Sequence, residues 1–159
     1  MAGRTNAISL RLSETDRTKL KTVADRLQVR EADVLRYAID MTLSRLGTLQ
    51  DTEAQGVDLL PIFVESGAEL LRFFSIDSRQ LEQIINEGVV GTEKQVDAKD
   101  IALLVRTFRE EAAAIVQLHA LLGSSGDQEE SLSGLRQRFR EFLYRKYLYQ
   151  DNDQHAVAG

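Results

Sequence analysis

The chain contains no cysteine in its 159 residues. It can therefore form no disulfide, no thiolate metal site and no covalent intermediate on a cysteine. Its apolar stretches are interrupted by charges before they reach membrane-spanning length, and its first residues lack the apolar core of a signal peptide. We therefore expect a soluble protein of the cytoplasm that makes no contact with a membrane.

Signatures of catalysis are also missing from the sequence. It has no glycine-rich phosphate loop and no nucleophile constellation. Glu110 and Glu111 are adjacent and would point different ways on a helix, so they are not a carboxylate pair for acid and base chemistry. His119 stands alone on an apolar helical pattern, and His155 lies near the C-terminus. We predict that the protein is not an enzyme and has no cofactor and no metal.

Charge is distributed unevenly along the chain. The net charge is −5, yet residues 1–47 hold nine Lys or Arg against six Asp or Glu, while residues 48–159 hold eleven against nineteen. The acidic total therefore hides a basic N-terminal part, with the sign that DNA phosphates attract. The length indicates one or two small domains with enough apolar residues for a core.

Residues 6–12 alternate apolar and polar side chains as a β-strand does. The apolar face of such a strand would hold Ile8, Leu10 and Leu12. Its outward face would hold Ala7, Ser9 and Arg11. A strand needs a neighbour for its backbone donors and acceptors, and no second strand pattern follows. The same segment of a second copy is the simplest neighbour, so we predict an obligate homodimer.

Two amphipathic helices are predicted after this segment. Ser13 is a good N-cap for a helix from Glu14 to about Leu27, and Asp16 lies three residues later as in a capping box. After a break at residues 28–30, a second helix is expected from about Glu31 to Leu46.

Three segments within residues 6–47 stand out: Ile-Ser-Leu-Arg-Leu-Ser-Glu, Leu-Lys-Thr-Val-Ala-Asp-Arg-Leu and Glu-Ala-Asp-Val-Leu-Arg-Tyr-Ala-Ile. Together they resemble the ribbon-helix-helix family of bacterial and phage DNA-binding proteins. In that family two strands, one from each subunit, pair and enter the major groove of double-stranded DNA. The resemblance implies that the base-contacting residues are Ala7, Ser9 and Arg11. Arg11 is the first of these because it can donate a bidentate pair to guanine.

The resemblance also implies a phosphate anchor, because the family holds a phosphate on the free amide groups at the start of its second helix. The implied phosphate-contacting residues are Arg4, Arg30 and Glu31. The implied dimer core consists of Ile8, Leu10, Leu12, Leu35 and Ile39. Members of the family usually have a glycine in the turn and a small hydroxyl residue at the helix start, whereas this chain has Gln28 in the turn and Arg30 at the start.

Beyond Gly47 we predict a linker over residues 48–56, an all-helical domain of about four helices over 57–150 and a disordered tail over 151–159. The first of the four expected helices begins after an Asp58 cap and has Pro61 in its first turn. The second runs from Ser78 to Asn86 with Asp77 as its cap. The third runs from about Ala98 to Leu122 and the fourth from about Glu129 to Tyr149. Apolar residues in 98–122 step alternately by four and three, as in a coiled-coil heptad. Such a stripe must pack on something, so we expect higher oligomerisation through it or a protein partner for this domain.

The last of these helices is basic and carries interleaved tyrosines. Its basic residues are Arg136, Arg138, Arg140, Arg145 and Lys146. They could touch nucleic acid, but such a helix more often packs its tyrosines and leaves its arginines in water or paired to the acidic run of residues 127–130.

The predicted fold class is mainly α: an N-terminal ribbon-helix-helix domain over residues 1–47, followed by the helical domain. This organisation favours a sequence-specific DNA-binding protein that represses transcription by occupying operator DNA. Two further roles stay open, namely a plasmid partition or conjugation scaffold that multimerises on arrayed sites, and an antitoxin whose C-terminal part masks a toxin. A dimerisation arm without DNA binding is the remaining alternative.

Overall fold

The computed structural model describes residues 6–123 and 130–149. The chain divides into two compact units, Met1–Gly47 and Thr48–Gly159. The N-terminal unit contains α1 (Glu14–Leu27) and α2 (Glu31–Arg45), which pack against each other. A single helical turn, α3 (Gly47–Gln50), lies at the boundary between the units.

The described part of the C-terminal unit is helical throughout. After a short 3-10 helix (Gly56–Asp58) its elements are α4 (Leu60–Phe73), α5 (Ser78–Asn86), α6 (Ala98–Phe108), α7 (Ala112–Leu122) and α8 (Leu132–Tyr147). The described residues of this unit therefore form five α-helices beyond α3, where about four were predicted. Among the described residues no helix is long and apolar enough to cross a membrane.

The strand predicted over residues 6–12 is absent. Residues 6–13 have no regular secondary structure, and no strand is found elsewhere in residues 6–123 and 130–149. The protein is mainly α, but the prediction of a ribbon-helix-helix fold with a β-strand is wrong. The physical reason is that a strand needs a neighbour for its backbone donors and acceptors, and alternation of side chains does not supply one.

Local signals explain why α1 begins and ends where it does. The Ser13 hydroxyl oxygen accepts a hydrogen bond from the Asp16 amide at 3.1 Å and donates one to the Asp16 carboxylate at 2.6 Å. At the other end Gln28 takes the left-handed conformation with a φ of 56°, which lets the Val29 amide bond back to the Ala24 carbonyl. This is a left-handed cap of the kind that usually contains glycine.

Helix α6 lies at the centre of the C-terminal core, where it contacts α4, α5 and α7. Its inner face buries Ile101, Leu104 and Val105. Phe139 of α8 is also fully buried. Interior burial of this extent is what makes a helical domain stable on its own.

Two glycines allow close approach inside this unit. A Cβ at Gly56 would lie 1.8 Å from the Lys94 carbonyl oxygen, and the φ of Gly56 is +57°. A Cβ at Gly67, in the middle of α4, would lie 2.6 Å from the Phe108 ring. The first glycine lets residues 88–97 fold back on the start of the unit, and the second sets how closely α4 packs against α6.

The long helix predicted from Ala98 to Leu122 is wrong, because it is interrupted between α6 and α7. Glu110 has a φ of 58°, which an α-helix does not tolerate. Ion pairs hold the break, with Arg106 on Glu111 at 2.8 Å and Arg136 on Glu110 at 3.2 Å. The interruption turns the chain so that α7 packs on α8, and the predicted continuous heptad stripe does not exist.

Two other predicted helix starts shift by one to three residues. Leu59, not Asp58, is the N-cap residue of α4, and Pro61 lies in the first turn of α4 as expected. Helix α8 begins at Leu132 with Ser131 as its cap, where a start near Glu129 was predicted. The helix predicted from Ser78 to Asn86 with an Asp77 cap is confirmed. Residues 151–159 lie outside the described residues, so the predicted tail is not tested.

Candidate DNA-binding surface

Residues 6–13, which precede α1, are exposed to solvent. Ile8 and Leu10, two of the predicted dimer-core residues, are 94% and 67% exposed. The predicted base-contacting residues Ala7, Ser9 and Arg11 are exposed as well. Arg11 forms no ion pair and no side-chain hydrogen bond with the described residues, so its guanidinium is available to a ligand. Arg4 lies outside the described residues.

The α1–α2 hairpin of the N-terminal unit leaves most of its apolar side chains in water. Of its described residues Ala24 alone is fully buried, and Leu35 is half-buried. Large apolar residues that stay exposed on the two helices are Val23, Leu27, Tyr37, Ile39, Met41 and Leu43. Monomeric proteins seldom expose so many large apolar side chains on one pair of helices, so the hairpin is a candidate contact surface.

The start of α2 is occupied by an ion-pair cluster. The Arg30 guanidinium donates two hydrogen bonds of 2.9 Å to the Asp33 carboxylate, which also receives one of 2.9 Å from Arg36. These bonds from Arg30 hold the pKa of Asp33 below its usual value and the pKa of Arg30 above its own. Glu31 adds a second carboxylate in the same turn.

This cluster bears directly on the predicted phosphate anchor. Asp33 accepts a hydrogen bond from the Arg30 backbone amide, one of the N–H groups that the resemblance assigns to a phosphate. A phosphate at this end of α2 would meet Asp33 and Glu31 and would have to draw Arg30 away from its partner. The signal for this pairing was in the sequence, since an Arg and an Asp three residues apart across a helix start lie close together. The sequence reasoning did not use it.

Most basic side chains of α8 have acidic partners within the chain. Arg140 pairs with Glu65, Lys146 with Asp100 at 2.7 Å, and Arg138 with Glu130 at 2.8 Å, besides the pair of Arg136 with Glu110 described above. The interleaved tyrosines take part in the same network, since Tyr144 donates to Glu65 at 2.6 Å and Tyr147 to Asp100 at 2.5 Å. Cations paired in this way offer little to a phosphate backbone. The N-terminal unit also contains paired cations, Arg30 and Arg36, but residues 1–47 have a net positive charge whereas residues 48–159 have a net negative one.

Chemistry of other kinds finds little support in the described residues. They contain no group of three or more His, Cys, Asp or Glu side chains that could hold a metal ion. His119 is half-buried on α7. No protein-family model, no curated protein and no solved structure matches the chain. The functional argument therefore rests on the charges and exposed surfaces of the chain itself.

Proposed function

We propose that this protein is a homodimeric, sequence-specific DNA-binding protein that acts in the cytoplasm as a transcriptional repressor. The carrying observation is the N-terminal unit, which combines a net positive charge, exposed apolar side chains on α1 and α2, and an Arg11 side chain that is exposed and has no partner among the described residues. A second copy covers the apolar area, and dimerisation doubles the excess of positive charge that attracts double-stranded DNA.

In this proposal different residues of the N-terminal unit form the dimer interface, the base contacts and the phosphate contacts. Ile8, Leu10, Leu12, Leu35 and Ile39 are buried between the two copies. Arg11 and Ser9 hydrogen-bond to base edges in the major groove, and Ala7 contacts a thymine methyl group. Basic residues at the start of the chain and on α1 contact phosphates, which position the protein and make its affinity fall with salt.

Replacement of Arg11 by Ala tests the base contact. We expect the variant to lose about 1 to 3 kcal/mol of binding to a duplex selected from a random library with the parent protein, and to keep its helical content. Fluorescence anisotropy measures the first quantity and circular dichroism the second. Arg79→Ala, at an exposed position on α5, is the matched control and should bind as the parent does. Equal affinity of the Arg11 variant and the parent, or failure of the library to yield any preferred sequence, contradicts the proposal.

A second candidate function is a DNA-binding scaffold for plasmid partition or conjugation, which needs contacts between dimers. The observation that favours it is a pair of exposed aromatic residues on the C-terminal unit, Phe73 and Phe74. A titration on DNA with one and with two selected sites separates the roles, since a scaffold fills neighbouring sites cooperatively and a simple repressor dimer fills them independently.

A further inference from the structure

A cavity of about 270 Å³ opens between α4, α6 and α8 of the C-terminal unit, and we call it the α8 cavity. Its apolar lining includes Val64, Leu104 and Phe139, one buried residue from each of these helices. The volume lies just below the range of about 300 to 1,000 Å³ that is usual for drug-sized ligands. The α8 cavity is therefore a candidate site for a small molecule of about one ring.

Hydrogen-bond donors are in excess on the polar side of the α8 cavity. Four polar side chains of α8 line it, namely Ser133, Arg136, Gln137 and Arg140. Among the described residues, no acidic side chain belongs to the lining. Glu110 and Glu65, which pair with Arg136 and Arg140, lie outside it, and each pair occupies one nitrogen of its guanidinium. The lining therefore presents N–H groups and no carboxylate.

Arg140 has donors left over for a ligand. Its Nε donates to Glu65, and its guanidinium carbon lies 4.6 Å from the centre of the Tyr144 ring. These two contacts hold the group in place. Within the described residues Nη1 and Nη2 of Arg140 form no hydrogen bond, so both stay available. A guanidinium that is already fixed loses little freedom when it binds a carboxylate.

Arg136 has a buried donor without an acceptor. Its Nε is shielded from solvent and has no hydrogen-bond partner among the described residues. The Nη2 of the same side chain donates to the Thr107 carbonyl at 3.3 Å and to the Glu110 carboxylate at 3.2 Å, which are long bonds for a guanidinium. A buried N–H without an acceptor is costly, and a small rotation of the guanidinium would offer it to an oxygen in the cavity.

We propose that the α8 cavity binds a small organic acid. The apolar ring of the ligand packs on Val64, Leu104 and Phe139, and its carboxylate accepts hydrogen bonds from Arg136 and Arg140. The ion pairs of these arginines cancel their long-range attraction for a phosphate backbone, but the remaining N–H groups still bond an oxygen that lies against them. An ammonium group would meet two guanidiniums and no lining carboxylate. The proposal goes beyond DNA binding and does not depend on it.

Three probes with the same ring and chain length test the charge of the ligand on the full-length protein. 3-Phenylpropionate should bind with a Kd of about 1 mM, as its size allows, and 3-phenylpropionamide and 3-phenylpropylamine at least about tenfold more weakly. Proton–nitrogen correlation spectra measure the affinities. The acid should shift the Arg136 Nε–H signal and the Ser133 amide signal, and it should leave the Nε–H signal of Arg79 on α5 unchanged. Equal binding of the three probes, or no binding of the acid at about 10 mM, overturns the proposal.

Variants locate the site. Arg136→Gln and Arg140→Gln should each weaken binding of 3-phenylpropionate about tenfold, whereas Arg79→Gln, at an exposed position on α5, should not. Ser133→Trp adds a large ring at an exposed position of the lining and should abolish binding while both arginines stay in place. Ala120→Trp, at an exposed position on α7, is its matched control and should bind as the parent does. Circular dichroism checks that each variant is folded. Parent-like binding by Ser133→Trp, or an equal loss in Arg79→Gln and Arg140→Gln, contradicts a site in this cavity.

Discussion

The two units of this protein are both helical, but they differ in what their helices bury. Within the described residues, Ala24 is the one fully buried apolar side chain of the N-terminal unit, and every other member of the apolar core belongs to the C-terminal unit. Helices in water are marginal without a packed face, so the same secondary structure has different consequences in the two units. The C-terminal unit is stabilised by its own interior, whereas a 47-residue hairpin with exposed Ile39 and Leu27 lacks an interior of comparable size.

This difference in burial predicts that the stability of the N-terminal unit rises with protein concentration and that the stability of the C-terminal unit does not. A pair of leucine substitutions tests this prediction. Leu118→Ala should destabilise the C-terminal unit by about 2 to 5 kcal/mol at every protein concentration, because Leu118 is fully buried within one chain. Leu10→Ala should cost about 2 kcal/mol in the N-terminal unit, and only where two copies are associated, because Leu10 is 67% exposed in one chain.

Urea unfolding followed by circular dichroism at about 1 and 100 µM protein measures both effects. The transition of the parent N-terminal unit should move to higher urea as concentration rises, and that of the C-terminal unit should stay fixed. If Leu10→Ala unfolds as the parent does at both concentrations, residues 6–12 take no part in association. Association through this segment then does not explain how the N-terminal unit is stabilised.

How far the sequence predicted this structure depends on the range of the interactions involved. Helix α1 with its Ser13 cap and α5 with its Asp77 cap were predicted correctly, because both ends of each helix are decided by residues three or four positions apart. The break at Glu110 was missed because apolar spacing continues across it, and the ion pair that helps hold it comes from Arg136 on another helix. The strand was wrong because its evidence lay in residues 6–12 alone.

The candidate site follows the same rule. Alternation predicted that Arg11 faces away from Ile8 and Leu10, but all three residues are exposed, so alternation did not separate two faces. The Arg30–Asp33 pair could have been predicted from the spacing of the two residues. The acidic run 127–130 was predicted to pair with the arginines of α8, and its residue Glu130 does pair with Arg138. Glu65 and Asp100, the partners of Arg140 and Lys146, lie 75 and 46 residues away and could not be identified from a local pattern.

Alkaline pH should destabilise the C-terminal unit through two tyrosines of α8. Burial, and next the hydrogen bonds donated to Glu65 and Asp100, raise the pKa of Tyr144 and Tyr147 to about 12. Because the unfolded value is about 10, the folded chain keeps protons that the unfolded chain releases, so this stability is complete below pH 10 and is lost as the pH rises through 12. We expect the C-terminal unit to lose about 2 kcal/mol by pH 11, allowing for solvent screening.

Urea unfolding from pH 9 to 11 measures this loss. The double variant Tyr144→Phe, Tyr147→Phe should start less stable at pH 9 and lose less stability as the pH rises. Tyr37 of the N-terminal unit is exposed, so Tyr37→Phe is the control and should leave the pH profile unchanged. A parent profile that is flat from pH 9 to 11, or one that the double variant reproduces, contradicts this account of α8.

The smallest expected effect lies in the turn between α1 and α2. Gln28 has a φ of 56° and a ψ of 41°, a left-handed conformation in which a side chain with a Cβ is strained and glycine is not. Glycine loses more freedom on folding, which offsets part of this gain, so Gln28→Gly should stabilise the N-terminal unit by about 0.5 kcal/mol. Gln50→Gly, in the last turn of α3, is a control that should not stabilise the protein. The comparison is made on the concentration-dependent urea transition at one fixed protein concentration. A destabilised Gln28→Gly variant would mean that the side chain of Gln28 contributes more to the turn than its backbone strain costs.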